Sequence, residues 1–527
     1  MGYLYRFEVK GIQSFIFSTN QMKEIAGGSA IIDSLFHPKD WNIDNVEQSA
    51  AGSATIYFED KVSLEQFASE FPRYVQYRAP GVELVQAWVS FDKDSVNEKG
   101  ALTKLLNTIA HNRNQKLVQL PELGPLLLRS GRTGLGVVDR RSINQKNRSV
   151  DLASVAKEKA GREQRDSLEQ ALLESNIYCF SKGEVFERDQ EMVAVIHIDG
   201  NDIGQRVQKC KTLKQYKDFS TALTQATKTA ACQAIKQAIE VIEDKEILVK
   251  EKDSGKLELP IRPIVLGGDD FTLVIKAKYA REFVKNYIEN FEAYTKEGQH
   301  KEKLFGEMHA SAGVAFVKAK SPFSGNYKLS EDLCKYAKNV LRERGEGNTT
   351  PSSVAFHRVT TTAIPRWSEI RERELSSDYE NKRAKDPKDP NFQTFGTLSA
   401  SPYLLKPKQE LEDFFSLDDL DGLVDNAKRL PRGPLRQWVQ QIQSDYVRAG
   451  QRWERFALVS NDKRDTKEAL ANCSKIWNKS SSSEEMTFRY RREGNQEQIT
   501  SEKSWGLVSP VLDCLSLIAV EGKGDKS

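Results

Sequence analysis

The sequence predicts a mixed α/β protein made of two compact α/β units, a connector between them and a mainly helical C-terminal region. Residues 1–119 and residues 191–360 each alternate between strand and helix patterns. From about residue 361 the composition shifts, and amphipathic helix patterns follow. The length of 527 residues suggests roughly three to four domains and agrees with this division.

In the first unit, strand and helix patterns follow one another in the order β-α-β-α-β-α. The expected strands are 3–9, 53–58 and 83–91, and the expected helices are 11–36, 63–78 and 98–113. We expect the first helix in two parts, because Gly27 and Gly28 interrupt it. A connector is expected over 120–190, with a loop rich in Gly, Arg and Asn at 120–150 and a charged helix at 151–175.

The second unit has the order β-α-β-β-α-β-α. Its expected strands are Met192–Ile198, Ile261–Leu266, Phe271–Ile275 and Ala310–Val317, and its expected helices are Tyr216–Glu243, Lys278–Tyr294 and Leu329–Arg342. This is the ferredoxin-like order with one further helix, as in the palm domains of polymerases and cyclases. The second unit is therefore predicted to be a ferredoxin-like palm.

Residues 361–527 are predicted to be mainly helical. Helices are expected over 408–460 and 465–478 with a break at Pro431 and Pro434, after an exposed linker at 376–398. A flexible tip is expected at 479–485, a short strand at 486–492 and a terminal helix at 506–520. Within this region Leu435–Phe456 reads as one amphipathic helix carrying Trp438, Tyr446 and Trp453, typical of a core or a protein interface.

The composition excludes several classes of protein. The net charge of +3 argues against a histone-like binder of nucleic acid, although a local basic groove remains compatible with it. No apolar run approaches the ~20 residues that span a bilayer. The six cysteines form no CxxC pair, which argues against a zinc ribbon or a disulfide framework. We therefore expect a cytoplasmic protein that makes no contact with membranes.

Gly267-Gly268-Asp269-Asp270 lies between two apolar strands. Glycine at a hairpin turn lets a ligand approach the backbone, and adjacent carboxylates are costly unless a cation neutralises them. Such hard oxygen donors suit Mg²⁺ or Mn²⁺. The alternative is an ordinary solvated turn, because Gly and Asp favour turns in any case.

A further carboxylate, Asp199, ends the first strand of the second unit. In a ferredoxin-like sheet this strand lies beside the hairpin, so Asp199, Asp269 and Asp270 are predicted to converge on a two-metal site for phosphoryl transfer. The alternative for Asp199 alone is a helix N-cap. On the last helix of the unit, Lys338 and Arg342 are placed to reach a triphosphate, or else lie on a solvated helix face.

Four segments of the second unit resemble a known family: MVAVIHIDGNDIG (192–204), IVLGGDDFTLV (264–274), HASAGVAFVK (309–318) and DLCKYAKNVL (332–341). In this order they resemble the catalytic palm of the large polymerase subunit of type III CRISPR systems, which is related to GGDEF diguanylate cyclases and adenylyl cyclases. Residues 7–36 resemble the opening of the first palm in the same family, which implies that the first unit is a ferredoxin-like palm as well. The resemblance covers roughly residues 1–360.

The resemblance implies that ATP is converted to cyclic oligoadenylates, second messengers of antiviral defence. It assigns Asp199, Asp269 and Asp270 as ligands of two Mg²⁺ or Mn²⁺ ions, and it implies no side-chain base. The residues it assigns to the nucleotide are Gly267, Gly268, Lys338, Asn201 and Asp202, with Asn201 standing where many members have Asp. Pyrophosphate would be the leaving group.

The chain also departs from the family. The first palm begins at Met1, so we expect no HD nuclease domain, and the connector lacks the cysteines of the family's zinc element. A reduced or standalone relative is therefore expected. In the first unit Gly11, Gln13 and Gly27–Ser29 are placed to bind a second nucleotide, or else mark tight packing between helix and sheet.

Three functions compete. The first is a nucleotidyltransferase that makes cyclic di- or oligonucleotides from NTPs, favoured by Asp199 and the GGDD turn. The second is a non-catalytic scaffold that binds nucleotide, RNA or effector subunits, favoured by the long C-terminal helices and by basic clusters at Lys428–Arg429, Arg432, Arg436 and Arg489–Arg492. The balanced overall charge favours the alternative that these clusters lie on solvated faces. The third, a templated polymerase, fits the near-neutral charge poorly. The oligomeric state is left open.

Overall fold

The protein is described from a computed structural model. The described residues are 2–36, 46–50, 52–91, 98–115, 127–143, 146–181, 186, 192–245, 247–252, 254–344, 349–361, 364–377, 396–444, 446–459, 464–477, 489–492 and 505–521. The flexible tip expected at 479–485, residues 120–126 of the connector and most of the linker expected at 376–398 lie outside them. No helix in these ranges is long and apolar enough to cross a membrane.

The first unit is built on a four-stranded sheet. Its strands are Gly2–Lys10 (β1), Val46–Ala50 (β2), Ser53–Phe58 (β3) and Glu83–Phe91 (β4), in the spatial order β2-β3-β1-β4. Its helices are Ile12–Ile16 (α1), Met22–Ser34 (α2), Lys61–Arg78 (α3) and Glu98–Asn114 (α4). The predicted order missed β2, whose sequence VEQSA is short and polar. With β2 included, the unit has the ferredoxin-like order β-α-β-β-α-β.

The prediction that Gly27 and Gly28 interrupt the first helix is wrong. Helix α2 runs through both glycines, and the interruption falls between α1 and α2. A Cβ atom built on Gly27 would lie 1.7 Å from the carbonyl oxygen of Lys157 in the helix Leu152–Leu172 (α5). Gly27 therefore allows α2 and α5 to cross in contact, a close approach that any larger side chain would prevent.

The connector contains more regular structure than predicted. Strands Val137–Ile143 (β5) and Lys146–Asp151 (β6) form a hairpin that leads into α5, where a charged helix was predicted. Asp151 caps α5, because its carboxylate accepts a hydrogen bond from the Ser154 backbone at 2.9 Å. A short strand, Tyr178–Phe180 (β7), pairs with Leu257–Leu259 (β9).

The second unit is built on a six-stranded sheet. Its strands are Met192–Gly200 (β8), Ile261–Gly267 (β10), Asp270–Lys276 (β11), Ala310–Lys318 (β12), Ser353–Arg358 (β13) and Tyr403–Leu404 (β16), in the order β10-β11-β8-β12-β13-β16. The helices are Ile203–Val207 (α6), Leu213–Lys245 (α7), Ala280–Lys296 (α8), Gly298–Lys303 (α9) and Phe323–Arg344 (α10). The four strands β8, β10, β11 and β12 reproduce the strand order of the first sheet.

The two faces of this sheet pack against different partners. Along β8, Ala194, Ile196 and Ile198 join a core formed with α7 and α8. The alternate residues Val193 and Val195 face the other way, into a core shared with α10 and with apolar residues of the first unit. Since side chains alternate along a strand, His197 and Asp199 lie on this second face, between the two units.

The C-terminal region is mainly helical, as predicted. It contains Trp367–Ile370 (α11), Leu417–Lys428 (α12), Arg432–Ser444 (α13), Tyr446–Val459 (α14), Arg464–Trp477 (α15) and Val511–Glu521 (α16), with a π-helical turn at Arg371–Leu375. A small sheet joins Ser376–Ser377 (β14), Gly396–Thr397 (β15), Arg489–Arg492 (β17) and Trp505–Val508 (β18).

Two predictions in this region need correction. The segment Leu435–Phe456 is not one helix, because α13 and α14 are separate and pack on each other. The rings of Trp438 and Trp453 lie 4.4 Å apart, and the Trp438 indole donates to the Ala449 carbonyl at 3.1 Å. The terminal helix starts at Val511 rather than at 506, since 505–508 form β18.

Candidate active site

The candidate site lies where β8 and the β10–β11 hairpin end side by side. Phe271 of β11 pairs with Ile198 of β8 in antiparallel register, and the next step of this register places Asp270 opposite Asp199. On the other side of β8, Asp199 pairs with Ser311 of β12. The central position of β8 in the sheet therefore brings residues about 70 positions apart in sequence to one point.

The turn between β10 and β11 gives the glycines distinct roles. Gly268 has φ +60°, which favours glycine, and its carbonyl accepts a hydrogen bond from the Thr227 hydroxyl at 2.8 Å. A Cβ atom at Gly267 would meet nothing within 4 Å, so this glycine faces open space. A Cβ atom at Gly200 would lie 3.1 Å from the Cβ of Asp269. Glycine at 200 thus leaves room for the turn to approach β8.

Three carboxylates meet at this point. Asp199, Asp269 and Asp270 each place an oxygen within 4.8 Å of the others, and all three side chains are partly exposed. Oxygen donors from two adjacent chain segments fit the coordination of Mg²⁺ or Mn²⁺, which commonly bind one or two carboxylates together with water and phosphate oxygens. The donor set therefore fits the divalent ions that the sequence predicts.

The electrostatics agree with a site built for a cation. Burial raises the pKa of Asp270 to about 7, with a further contribution from the Asp199 carboxylate. Burial, together with the charges of Asp270 and Asp199, also raises the pKa of Asp269 well above its usual range. Three carboxylates held this close favour partial protonation unless a positive charge joins them.

Lys338 supplies one positive charge to the site. Its ammonium donates to the Asp199 carboxylate and, at 2.7 Å, to the Gly200 carbonyl. Burial opposes ionisation of Asp199, but Lys338 and a hydrogen bond with Asp269 outweigh it and lower the pKa of Asp199. The lysine side chain is 10% exposed, so it does not lie on a solvated helix face. Arg342 is more exposed and lies 3.6 Å from Asp202.

Asn201 and Asp202 are held by a neighbouring segment. The Asn201 amide donates to the carbonyls of Thr350 and Pro351, at 3.2 and 3.0 Å. The Asp202 carboxylate accepts from the Thr350 backbone at 2.6 Å and from its hydroxyl at 2.9 Å. Both side chains are buried, and Asp202 has φ +59°. They fix the turn after β8, and their predicted part in nucleotide binding stays a prediction.

Sequence reasoning missed several side chains around the site. His197 is buried two residues before Asp199, and its Nδ1 lies 3.0 Å from the Thr272 hydroxyl. Burial lowers the pKa of His197 to about 4. Cys334 on α10 is buried and donates to the Ser311 carbonyl at 3.2 Å. The sequence offers one indication, since His197 is the polar residue within the otherwise apolar run Met192–Ile198.

The first unit reaches the site through α10. Gln13 donates to Glu331 at 2.7 Å, and the ring of Phe17 stacks on Tyr327 with centroids 4.0 Å apart. Tyr327 in turn packs edge-on against His197 at 5.5 Å. Gln13 therefore contacts the second unit, whereas Gly27 serves as a packing point, against a helix rather than the predicted sheet. Binding of a second nucleotide by these residues stays a prediction.

Part of the basic C-terminal clusters is engaged in ion pairs. Lys428 pairs with Glu521 at 2.9 Å, and Arg429 pairs with Asp465 and Glu468. For Arg432, the described part of the structure shows no ion pair. These pairs favour a structural role for Lys428 and Arg429, and RNA binding by the clusters stays a prediction.

Comparison with known proteins places the second unit. Residues 192–345 match the family described as Cas10/Cmr2, second palm domain, and this range contains the carboxylates, the glycine turn and Lys338. The resemblance predicted from the motifs is confirmed for this range. A comparison with curated proteins gave no match.

Among solved structures, similarity extends to Csm1 proteins at low identity. The Csm1–Csm4 cassette in complex with cA4 is 14% identical, with 68% of this chain and 54% of that chain covered and a TM-score of 0.43. The apo Csm1–Csm4 cassette is 13% identical, with 99% and 69% covered and a TM-score of 0.47. Csm1 in T. onnurineus is 14% identical, with 67% and 52% covered and a TM-score of 0.37. The chain spans about half the length of the first of these.

Proposed function

We propose, on the premise that residues 192–345 are of the Cas10/Cmr2 second-palm type, that this chain is a metal-dependent nucleotidyltransferase. It would join NTPs, with ATP as the substrate, into cyclic oligonucleotides in a type III CRISPR defence system. The observation that carries the proposal is the convergence of Asp199, Asp269 and Asp270 within 4.8 Å beside an open glycine turn.

The three carboxylates would hold two Mg²⁺ or Mn²⁺ ions. When bound, such ions supply a lowered pKa for an attacking 3′-hydroxyl and neutralise charge on the triphosphate. Asp199 and Asp270, on neighbouring strands, fix the separation of the ligand oxygens. The lack of a Cβ atom at Gly267 and Gly268 leaves space for the nucleotide at the turn.

Lys338 would help to bind the triphosphate by moving from Asp199 to a phosphate oxygen. Its ammonium now neutralises Asp199, and ions at the carboxylates would free it to meet a phosphate oxygen. Asn201 and Asp202 keep the turn after β8 in place through Thr350. They therefore support the ligand positions rather than touch the reacting atoms.

Partners would come through the rest of the chain. Solved structures similar to this chain include Csm1–Csm4 cassettes, one of them in complex with cA4 and one in complex with AMPPNP. We propose that this chain likewise assembles with a second subunit of an effector complex. The C-terminal helices and their basic clusters are the candidate surface for that subunit or for RNA.

The test is incubation of the purified protein with each NTP and Mg²⁺ or Mn²⁺, with products identified by mass spectrometry. We expect cyclic products with ATP, lost in the Asp269→Ala/Asp270→Ala double variant. The matched control is Glu240→Ala/Asp244→Ala, which removes two exposed carboxylates from α7 of the same unit. This control should keep the wild-type product yield.

The competing function is a scaffold without catalysis. It predicts no product with any NTP, even when RNA or a partner subunit is added, and unchanged partner binding in the Asp269→Ala/Asp270→Ala variant. That pair of results would overturn the proposed activity. Products that the double variant still makes would place the reaction elsewhere in the chain.

A further inference from the structure

A second group of potential metal ligands lies beside the three carboxylates. His197, Asp199 and Cys334 each place a ligand atom within 4.8 Å of the others. His197 and Asp199 are two residues apart on β8, so their side chains lie on the same face of the sheet. Cys334 comes from α10, which packs across that face. Gly313 makes this approach close, because a Cβ atom there would lie 2.5 Å from the Cys334 nitrogen.

The chemistry of this group differs from that of the carboxylate site. An imidazole nitrogen, a thiol sulfur and one carboxylate oxygen form a mixed, softer donor set. Mg²⁺ and Mn²⁺ favour oxygen, whereas Zn²⁺ commonly takes Cys, His and Asp in tetrahedral sites and can keep a fourth position open. Asp199 has 30% of its side chain exposed, so the open position lies toward solvent.

A hydrogen bond already orients the imidazole. His197 Nδ1 is engaged by the Thr272 hydroxyl at 3.0 Å, which leaves Nε2 as the ligand nitrogen. Metal-binding histidines usually have such an outer partner, which fixes the ring and its tautomer. Both His197 and Cys334 are buried, at 6% and 1% exposure, so their positions are fixed by packing before any ion arrives.

We propose that His197, Asp199 and Cys334 form a binding site for Zn²⁺ or a similar borderline-soft divalent ion, which inhibits the protein by occupying Asp199. The thiol proton of Cys334, now directed to the Ser311 carbonyl, passes to solvent as the metal–sulfur bond forms. The ion displaces the Lys338 ammonium from Asp199. Inhibition rests on the proposed function, whereas binding of the ion does not.

The test uses the full chain freed of metal and titrated with Co²⁺, a spectroscopic substitute for Zn²⁺. We expect one equivalent to give thiolate-to-metal charge-transfer absorption and the intense visible bands of tetrahedral Co²⁺, both abolished by added Zn²⁺. Cys334→Ser should remove the charge-transfer band. The control Cys473→Ser, at another buried cysteine, should retain it.

A milder variant guards against misfolding. Thr272→Val keeps the shape of a buried strand residue and removes the hydroxyl that orients His197, so we expect about 10- to 100-fold weaker Zn²⁺ binding in competition with a chelating dye. Its circular dichroism and thermal unfolding should match those of the wild type. Equal Zn²⁺ affinity in Thr272→Val, an unchanged charge-transfer band in Cys334→Ser, or a weak octahedral Co²⁺ spectrum in the wild type would each overturn the proposal.

The proposed Zn²⁺ site and the proposed synthesis of cyclic nucleotides are tested by independent measurements. The Co²⁺ spectrum needs no nucleotide, so absence of cyclic products with Mg²⁺ would leave it unaffected. If products do form, Zn²⁺ should suppress them in the wild type, and at least tenfold more Zn²⁺ should be needed in Thr272→Val. Equal sensitivity of the two proteins to Zn²⁺ would show that inhibition acts elsewhere.

Discussion

The two α/β units share one strand order, but they have different residues where the first strand ends beside the turn between the second and third strands. In both sheets the first strand lies between the third and the fourth, β2-β3-β1-β4 in one and β10-β11-β8-β12 in the other. In the second unit the first strand ends at Asp199-Gly200, beside a hairpin turn with Asp269 and Asp270. The corresponding strand end of the first unit is Val9-Lys10, beside Gly52, which leads into β3.

The difference shows that the strand order brings a strand end and a hairpin turn together in both units. A few residues at that position then decide which chemical groups are present. In the first unit a backbone hydrogen bond ties β1 to the residue that precedes β3, since the Val9 nitrogen donates to the Gly52 carbonyl at 2.9 Å. This unit instead contributes contact, through Gln13 and Phe17 against α10. We infer a division of labour in which one unit presents carboxylates and the other covers the face on which they lie.

The strongest test of this comparison removes the charged side chain at the end of each first strand. We expect Asp199→Ala to lower turnover at least 10³-fold, about 4 kcal/mol of transition-state stabilisation, because on the proposed function it removes one of the three carboxylates that would hold the ions. Lys10→Ala removes only an exposed ion pair with Glu83 at 3.6 Å and should change turnover less than twofold. Steady-state rates of product formation measure both. A large effect of Lys10→Ala would show that the first unit also has a chemical role.

A second test contrasts two glycines. Gly27→Ala adds a Cβ atom 1.7 Å from a carbonyl oxygen of α5, and overpacking outweighs the gain of about 1 kcal/mol in helix propensity. We expect a net loss of about 2 kcal/mol in the free energy of unfolding, measured by urea denaturation. Gly267→Ala points into open space and should change it by less than about 1 kcal/mol. Equal losses would contradict the assignment of Gly27 to packing and Gly267 to the site.

The third test concerns pH in the absence of metal. The pKa of Asp270 is raised to about 7 in the folded protein, so folding takes up protons and the free energy of unfolding falls as the pH rises from about 5 to 8. We expect a fall of about 1–2 kcal/mol, reduced from the full shift by solvent screening. The pKa of Asp199 is lowered from 3.8, so its ionised carboxylate stabilises the folded protein above that pH. This stabilisation is lost only as the pH falls through the lowered pKa, and it does not change between pH 5 and 8.

The isosteric variant Asp270→Asn is the control for this pH dependence. It should reduce the slope between about pH 5 and 8, because one of the two carboxyls with a raised pKa is removed without loss of shape, while Asp269 remains. Saturating Mg²⁺ should flatten the wild-type slope in the same way by stabilising the ionised carboxylates. Urea denaturation at each pH gives the slopes, and a variant as steep as the wild type would place the titration at another residue.

The smallest expected effect lies at the contact between the units. Gln13→Ala removes a hydrogen bond to Glu331, which keeps its ion pairs with Lys328 and Lys335. We expect a loss of about 1 kcal/mol or less in the free energy of unfolding. Gln66→Ala, at an exposed residue bonded to Glu70, should cost less still. A Gln13 variant with a larger loss would show that this contact carries much of the packing between the units.

Local pattern predicted most of the second unit. Its strands are apolar runs bounded by Gly and Asp, so β8, β10 and β11 were expected within one or two residues of their bounds. The polar strand β2 carries no such pattern, and its pairing with β3 alone defines it. The local pattern predicts a helix break at Gly27, because the helix it packs on, α5, lies about 130 residues away in sequence and leaves no local signal. His197 and Cys334 were missed because their proximity depends on how α10 crosses the sheet.

The bond between Lys338 and Asp199 has a consequence for how the site fills. The ammonium is a resident counter-ion, held by a carboxylate and by the Gly200 carbonyl. On the proposed function, an arriving divalent ion would enter by exchange, because it would have to displace a charge that the fold already provides. Its net affinity would then be the difference between two attractions, and Lys338 would set part of the free ion concentration at which the site fills.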